Sequence, residues 1–291
     1  MSESKIRRIE FANSTVEIEY QGEVAEHVIA FLFDHLPESR VVQPGMKVDS
    51  DKANISYRLI HDQGERLLLL YQDETLERFS PSQAEMALHL MERVSYQLSF
   101  HSKDGLVLHA GLVGLDGHGI LLPGISGKGK TVLTAWLLTR EFDYLTDELV
   151  FIPFGTMLGV GFCRPLNLKS DARRLIGKGL PVTDRKWIMR TRGVDMIRPE
   201  IMGAKRLLSD VSVELIVFPQ YLASSELNID PLSKAQAGLE LMQCLINARN
   251  LPELGFNQVA ELVRKIPAFK LVYGDLEQLE GVVERLFKYV N

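Results

Sequence analysis

The sequence is poor in cysteine and has no long apolar stretch. Cys163 and Cys244 are its two cysteines, and a single pair defines neither a metal-binding spacing nor a disulfide framework. No apolar run approaches the roughly 20 residues that a membrane-spanning helix needs, and no apolar signal region follows residues 1–8. We therefore expect a soluble, cytoplasmic protein with reduced thiols and no membrane partner.

The chain also lacks a strong excess of charge. Its formal net charge is -5, from 33 Lys and Arg against 38 Asp and Glu, which gives no general attraction to nucleic acid. Hydrophobic residues make up 46% of the 291 residues, so the chain can bury a sizeable core. We expect an ordered α/β protein of the α+β type, without nucleic acid as a partner.

The periodicity of the sequence changes at about residue 102. Residues 1–102 are typical of a small N-terminal α+β domain, and residues 103–291 of a larger main domain. In the first domain the apolar periods predict strands at 15–20, 54–60 and 66–71. They predict helices at 23–36 and 80–98. In the second domain the same periods predict strands at 105–115, 119–122, 144–152, 157–162, 213–218 and 269–273 and helices at 131–140, 234–248, 257–264 and 276–289.

A complete phosphate-binding loop pattern, G-x-x-x-x-G-K-[ST], begins at Gly124 and ends with Gly129, Lys130 and Thr131. The glycines let the backbone curl so that its N–H groups point at phosphate oxygens. The lysine of such a loop reaches the β- and γ-phosphates, and the threonine hydroxyl binds Mg²⁺. A helix that starts at the loop adds a favourable dipole for an anion.

The neighbouring segments agree with this interpretation, because a strand-like run precedes the loop and a helical run follows it. We therefore predict that the protein binds a nucleoside triphosphate, as Mg-ATP. Lys128 is expected either to face solvent or to add positive charge near the phosphates. The predicted nucleotide-binding residues are Gly124, Ser126, Gly127, Lys128, Gly129, Lys130 and Thr131.

Two adjacent acids, Asp147 and Glu148, lie within the apolar run 144–152. Carboxylates are costly to bury without a partner, and Mg²⁺ beside the loop is a natural one. The alternative is an exposed strand end with solvated acids. His109 lies in the apolar strand 106–113, where a single histidine is more often structural than functional.

Residues 164–206 are rich in Lys and Arg, with twelve of them against four acids. This segment either binds an acidic acceptor, closes over a nucleotide, or forms a solvated surface.

In combination, residues 108–111, 119–131 and 144–150 resemble the catalytic core of HPr serine kinase/phosphorylase and its relatives. In that family a histidine precedes the first loop glycine by fifteen residues, as His109 precedes Gly124. An acidic pair begins seventeen residues after the loop lysine, as Asp147 follows Lys130. The resemblance implies the fold shared with phosphoenolpyruvate carboxykinases, in which the loop lies in a strongly bent mixed sheet.

The resemblance also implies roles for single residues. Asp147 corresponds to the base that acts on a serine hydroxyl, His109 to the histidine that pairs with this acid, and Glu148 to the acid that helps Thr131 to hold the metal. Arg164 and Lys169 correspond to substrate-side residues of the related-kinase subgroup. Glu148 stands where HPr kinases usually have Asp, and residues 1–102 do not resemble their regulatory domain, which argues against HPr itself as the acceptor.

We therefore expect an ATP- and Mg²⁺-dependent kinase that phosphorylates a hydroxyl group of a protein, a peptide or a small molecule. Two alternatives stay open, namely a nucleotide-gated binding module and an NTPase that uses water in place of an acceptor. The sequence also leaves open whether the chain forms a homo-oligomer.

Overall fold

The computed structural model describes residues 3–35, 41–42, 54–169, 172, 186–282 and 286. Its first sheet has six strands, which are β1 (Lys5–Phe11), β2 (Ser14–Gln21), β3 (Val41–Val42), β4 (Asn54–Asp62), β5 (Leu67–Gln72) and β6 (Thr75–Ser80). They lie in the order β3-β1-β2-β4-β5-β6, and β2 and β4 are the parallel pair of this mixed sheet. Helices α1 (Glu23–Phe33) and α2 (Gln83–Phe100) pack against the sheet and against each other.

Local sequence explains the elements that were predicted in this region. Val16, Ile18 and Tyr20 alternate along β2 and are buried, so this strand has one face in the core. Helix α2 begins after Ser82, whose hydroxyl accepts a hydrogen bond from the backbone N–H of Glu85, and this cap satisfies one of the free donors of the first turn. Strands β1, β3 and β6 were not predicted.

The remaining strands belong to two further sheets. They are β7 (Gly105–Leu115), β8 (His118–Pro123), β9 (Asp143–Thr146), β10 (Leu149–Pro153), β11 (Leu158–Gly161), β12 (Leu166–Lys169), β13 (Ile188–Arg190), β14 (Val194–Ile197), β15 (Asp210–Tyr221), β16 (Asn228–Pro231) and β17 (Ala268–Tyr273). The second sheet is eight-stranded and mixed, with the path β11-β10-β7-β8-β15-β17-β16 and with β9 paired to β7. Strand β11 pairs with both β10 and β15, so this sheet curls back on itself. Strands β12, β14 and β13 form a small antiparallel sheet.

Helices cover both faces of the eight-stranded sheet. On one face Ile120 and Leu122 of β8 pack in the same core cluster as helix α3 (Lys130–Leu138). On the other face Leu121 packs in a cluster with helices α4 (Lys234–Gln243) and α5 (Phe256–Lys265). This alternation is the period of a strand buried on both sides. The predicted mixed α/β class is therefore confirmed.

Several predicted elements differ from the structure in their bounds, and three of them lie in the second sheet or the helices on it. The strand predicted over 144–152 is two strands, β9 and β10, which run one after the other along β7 and are interrupted at Asp147 and Glu148. Strand β15 continues through Pro219 to Tyr221, and a proline is tolerated there because β8 pairs with β15 only as far as Ile216. Helix α4 ends at Gln243, five residues before the predicted end at residue 248.

The predicted closing helix 276–289 lies partly outside the described residues. Its described part contains a 3₁₀ turn, Glu277–Leu279. Among the helices of the described chain, none combines the length and the apolar character that crossing a bilayer requires.

The two large sheets share part of their hydrophobic core. The ring of Phe11 in β1 lies 6.3 Å from that of Phe151 in β10 and 5.4 Å from that of Phe162. The six-stranded sheet ends before α2, and the eight-stranded sheet begins at Gly105. The division into domains 1–102 and 103–291 stays a prediction, because the chain changes sheets near that boundary while the packing continues across it.

The first helix is followed by a buried histidine. His35 follows α1 and is 8% exposed, and in the described part of the chain neither of its ring nitrogens has a hydrogen-bond partner. Burial lowers the pKa of His35 to about 4; the nearby charge of Glu200 opposes this shift, and those of Arg198 and Arg7 add to it.

We predict that the free energy of unfolding falls as the pH is lowered from about 6.5 to about 4, because the unfolded chain binds a proton in this range and folded His35 does not. Substitution His35→Leu should remove up to about 3 kcal/mol of this pH dependence. Urea unfolding at several pH values measures it, with exposed His27→Gln as the control. An unchanged pH slope in His35→Leu would show that the imidazole is solvated.

Candidate active site

The register of three neighbouring strand segments brings the predicted site together. Ala110 in the middle of β7 pairs with Pro123 at the end of β8, so the loop that starts at Gly124 leaves the sheet at this level. On the other edge of β7, His109 pairs with Leu149, the first residue of β10. The break between β9 and β10 therefore lies at the same level as the loop, with β7 between them.

The loop itself rests on the ends of two other strands. Gly127 and Gly129 have φ angles of +88° and +97°, a region that favours glycine. The backbone N–H of Tyr221 in β15 donates to the carbonyl of Lys128 at 3.1 Å, and the Tyr273 hydroxyl in β17 donates to the carbonyl of Gly129 at 3.3 Å. A Cβ atom on Gly129 would lie 2.8 Å from the Tyr273 Oη. Glycine at this position therefore satisfies two constraints at once, the backbone conformation and the close contact.

Lys130 is the first residue of α3 and carries a buried ammonium group. Its side chain is 6% exposed, and its Nζ donates to the carbonyl of Gly124 at 2.5 Å and lies 3.2 Å from Nε2 of His109. Burial lowers the pKa of Lys130 below its ordinary value, although the negative charges of Glu148 and Asp147 oppose that effect. The ammonium group thus lies between the loop and the acidic pair.

Asp147 faces the protein interior and is 0% exposed. Its carboxylate accepts from the Tyr144 hydroxyl at 3.4 Å and from the backbone N–H of Asn167 at 3.4 Å, and Nε of Arg164 lies 3.8 Å away. Burial raises the pKa of Asp147 above its ordinary value, although the charge of Arg164 and a hydrogen bond from the Thr131 side chain act in the opposite direction. This acid therefore lies beside the threonine of the loop.

Glu148 points in a different direction and its side chain is 34% exposed. Its Oε1 lies 3.2 Å from Nε2 of His109, and its Oε2 lies 3.8 Å from Nη1 of Arg164. Burial alone would raise the pKa of Glu148, but the hydrogen bond from His109 and the positive charges of Arg164 and Lys130 lower it to about 2. This carboxylate is therefore ionised at neutral pH.

Among the described residues, His109 contacts Glu148, whereas the family resemblance implied Asp147 as its partner. It was expected beside Asp147, but its ring contacts Glu148, because these two residues lie close together across the β7–β10 pairing. Its Nε2 is near both Glu148 and Lys130, and one ring nitrogen either donates to the first or accepts from the second. The histidine therefore links the loop lysine to one acid of the pair.

The two predicted substrate-side residues both reach the site. Nζ of Lys169, at the end of β12, donates to the Ser126 hydroxyl in the loop at 3.2 Å. Arg164 is 2% exposed and lies near both acids, and its Nη2 has no hydrogen-bond partner among the described residues. Together they place two further positive charges around the loop and the acidic pair.

The rest of the basic segment 164–206 is largely neutralised where the structure describes it. Arg206 forms two hydrogen bonds with Asp143, at 2.9 and 2.6 Å, and Arg198 pairs with Glu200. These contacts argue against a continuous basic docking surface. Four other basic residues of the segment, Arg173, Arg174, Lys178 and Arg185, lie outside the described residues.

Sequence reasoning missed two tyrosine hydroxyls and two backbone N–H groups. Tyr144 holds Asp147, Tyr221 and Tyr273 support the loop, and Asn167 donates its backbone N–H to Asp147. Tyr144 precedes the acidic pair within the same apolar run, which is a signal that could have been used. The other contacts join distant segments of the chain and have no local pattern.

The side chains near the loop could bind Mg²⁺ together with phosphate and water. They could not hold a metal ion by themselves. Within the described ranges, no group of three or more His, Cys, Asp and Glu side chains could hold a metal ion. Mg²⁺ usually keeps several waters and binds one or two carboxylates together with substrate phosphates. The Thr131 hydroxyl and one acid of the pair fit that requirement.

Comparisons with known proteins give a distant structural similarity and no match by sequence. No family model and no curated protein matches this chain. Among solved structures, the Hpr(Ser) kinase/phosphatase from Coxiella burnetii is similar, with 14% sequence identity, a TM-score of 0.32, and coverage of 63% of this chain and 94% of that chain. At this distance the relationship carries no conclusion about activity, which has to come from the site itself.

We predict that Gly129→Ala destabilises the protein more than Gly117→Ala. Both glycines have positive φ angles, +97° and +93°, so both substitutions cost about 1 kcal/mol for the backbone conformation. A Cβ on Gly117 meets nothing within 4 Å, whereas one on Gly129 clashes with Tyr273, which should cost about 2 kcal/mol more. Urea unfolding of both variants measures the difference, and equal losses would show that the loop does not rest on Tyr273.

Proposed function

We propose that this protein is an ATP-dependent kinase that transfers the γ-phosphate to a hydroxyl group. One observation carries the proposal. The buried ammonium group of Lys130 lies 3.2 Å from His109, and His109 lies 3.2 Å from Glu148, so a phosphate-binding loop and an acidic pair meet at a single point. A loop lysine that can neutralise phosphate charge, near carboxylates that can hold metal or accept a proton, supports phosphoryl transfer.

The nucleotide would bind with its phosphates over the loop. The backbone N–H groups of residues 124–131 and the N-terminus of α3 would cradle them, and Lys130 would contact the β- and γ-phosphates. Lys169 and Ser126 lie at the loop and would contact the same charge. The burial of Lys130, which lowers its pKa, supports an anionic ligand, because a phosphate would compensate the desolvated ammonium group.

The transfer itself would form one bond and break another. The oxygen of the acceptor hydroxyl would bond to the γ-phosphorus, the bond from that phosphorus to the β–γ bridging oxygen would break, and ADP would leave. The hydroxyl proton would pass to one carboxylate of the pair Asp147 and Glu148. When bound, Mg²⁺ supplies charge neutralisation at the phosphates, and Thr131 with the other carboxylate would hold it.

A positioned proton acceptor favours a kinase over a nucleotide-gated switch. A switch needs the loop and a segment that moves with the nucleotide, but it needs no carboxylate beside the γ-phosphate position. The structure of the acidic pair is specialised, since Glu148 is kept ionised by His109 and Arg164. The acceptor is therefore proposed to be a hydroxyl group of a protein, a peptide or a small molecule.

We predict that Lys130→Ala lowers phosphate transfer on the order of 100-fold, because the variant loses a charge aimed at the transferred group. Transfer is measured with γ-labelled ATP and separate protein, peptide and small-molecule fractions of the cells that make this protein. Exposed Lys103→Ala is the matched control and should transfer at the wild-type rate.

Three results separate the proposal from its alternatives. Label in one fraction, with an equal amount of ADP, supports the kinase. If free phosphate is released at the same rate whether or not a cell fraction is added, the protein is an NTPase. Tight ATP binding without turnover would identify a binding module.

A further inference from the structure

A cavity lies between the phosphate-binding loop and the C-terminal end of helix α4. Its volume is about 180 Å³, whereas two other cavities, one between β10 and α5 and one beneath α3, measure about 10 Å³ each. A protein cavity of about 150 Å³ holds a benzene molecule, so the cavity beside the loop can hold a small organic ligand. Asp147 and Glu148 do not line this cavity, which is therefore separate from the acidic pair.

The floor of the cavity is apolar. Phe218 of β15 and Cys244, the residue after α4, line it and are 6% and 4% exposed. Phe218 belongs to the hydrophobic cluster that α4 covers, so Gln220, two residues further along β15, points toward α4 as well. Ala268 of β17 belongs to the same cluster, and Lys270, two residues beyond it, points the same way. Two strands therefore each direct one polar side chain at the cavity.

The rim of the cavity carries charges of both signs. Two lysines come from the loop and from β17, one glutamate comes from α4, and two glutamines complete the polar lining. These residues are Lys128, Lys270, Glu240, Gln220 and Gln243. Within the part of the chain that the structure describes, their side chains form no hydrogen bond and no ion pair. Their polar atoms are therefore available to a ligand.

This combination matches the two opposite charges of a free amino acid. A lysine ammonium group binds a carboxylate, and a glutamate carboxylate binds an ammonium group. The two glutamines offer both donors and acceptors to a polar side chain, and the apolar floor suits the carbon atoms of the ligand. A ligand with anionic groups alone, such as a phosphate ester, would meet repulsion from Glu240.

We infer that this cavity is a binding site for a free amino acid, with the α-carboxylate at the two lysines, the α-ammonium group at Glu240 and the carbon atoms over Phe218. The volume of about 180 Å³ favours an amino acid with a small or medium side chain. The inference goes beyond the proposed kinase function, because it needs neither the acidic pair nor a phosphate acceptor.

The cavity shares a wall with the phosphate-binding loop, which Gly124, Ile125 and Lys128 provide. The carbonyl of Gly124 accepts from Nζ of Lys130 at 2.5 Å, and the carbonyl of Lys128 accepts from the backbone N–H of Tyr221 at 3.1 Å. An amino acid against this wall would restrict the loop, so the loop would lose less freedom when a nucleotide binds. Occupancy of the cavity should therefore tighten nucleotide binding, and nucleotide should tighten amino acid binding by the same factor.

Calorimetric titration of the nucleotide-free full chain tests the site. Each standard L-amino acid is titrated separately, and we expect at least one of them to bind. For that amino acid, the α-amide lacks the carboxylate and the deaminated acid lacks the ammonium group, so both analogues should bind at least about tenfold more weakly. Failure of every amino acid to bind, or equal binding of the amino acid and both analogues, would overturn the inference.

Two variants locate the binding groups. Lys270→Ala should weaken binding of the amino acid about tenfold and reduce its advantage over the amide, and Glu240→Gln should do the same for its advantage over the deaminated acid. Exposed Lys103→Ala and Glu65→Gln are the matched controls and should bind as the wild type does. Glu240 is exposed, so its variant keeps the test valid if Lys270→Ala fails to fold. Full affinity and full discrimination in Glu240→Gln would contradict the inference.

Coupling to the loop is measured with a fluorescent ATP analogue and Mg²⁺. An amino acid concentration just sufficient to saturate the wild type should tighten binding of the analogue about fivefold or more, and the effect should be smaller in Glu240→Gln. An unchanged affinity in the wild type would refute the coupling. The amino acid titrations contain no nucleotide, so absence of ATP binding would refute the nucleotide site and the coupling, whereas the amino acid site stands or falls on the titrations.

Discussion

The site depends on keeping several charges together in a region that is largely closed to water. Lys130 and Asp147 are 6% and 0% exposed, and ions buried in this way are stable only beside partners of opposite charge. Arg164 is the partner of Asp147, and the negative charges of Glu148 and Asp147 act on Lys130. Tyr144 and Asn167 supply hydrogen bonds to Asp147.

The sheet provides the geometry that this cluster needs. Strand β7 is long enough to pair with β9 and β10 on one edge while it pairs with β8 on the other. The break in the first edge and the end of β8 fall at the same level, so the acids and the loop approach β7 from its two sides. His109, on β7 itself, is in contact with both. If residues 143–153 formed one continuous strand, the backbone of both acids would be paired with β7 and would not form the break that lies level with the loop.

Much of this could be read from the sequence, because the signals are local. The bounds of β7 follow from its apolar period, and the start of α3 follows from the loop pattern. The mixed α/β class follows from the strands and helices predicted in this way. Strand β1 was missed because its turn to β2 uses Ala12 and Asn13 at positive φ without a glycine. Strand β6 was missed because an edge strand with most of its side chains exposed shows little alternation.

The partners within the site could not be predicted in the same way. Whether Asp147 or Glu148 meets His109 depends on the register between β7 and β10, which is a long-range property. The most direct test of the account is a crystal structure with Mg²⁺ and a non-hydrolysable ATP analogue. The account predicts phosphates over residues 124–131, Lys130 Nζ moved from the Gly124 carbonyl to a phosphate oxygen, and Mg²⁺ beside Thr131 and one acid of the pair. Phosphates bound elsewhere, with Lys130 still on Gly124, would contradict it.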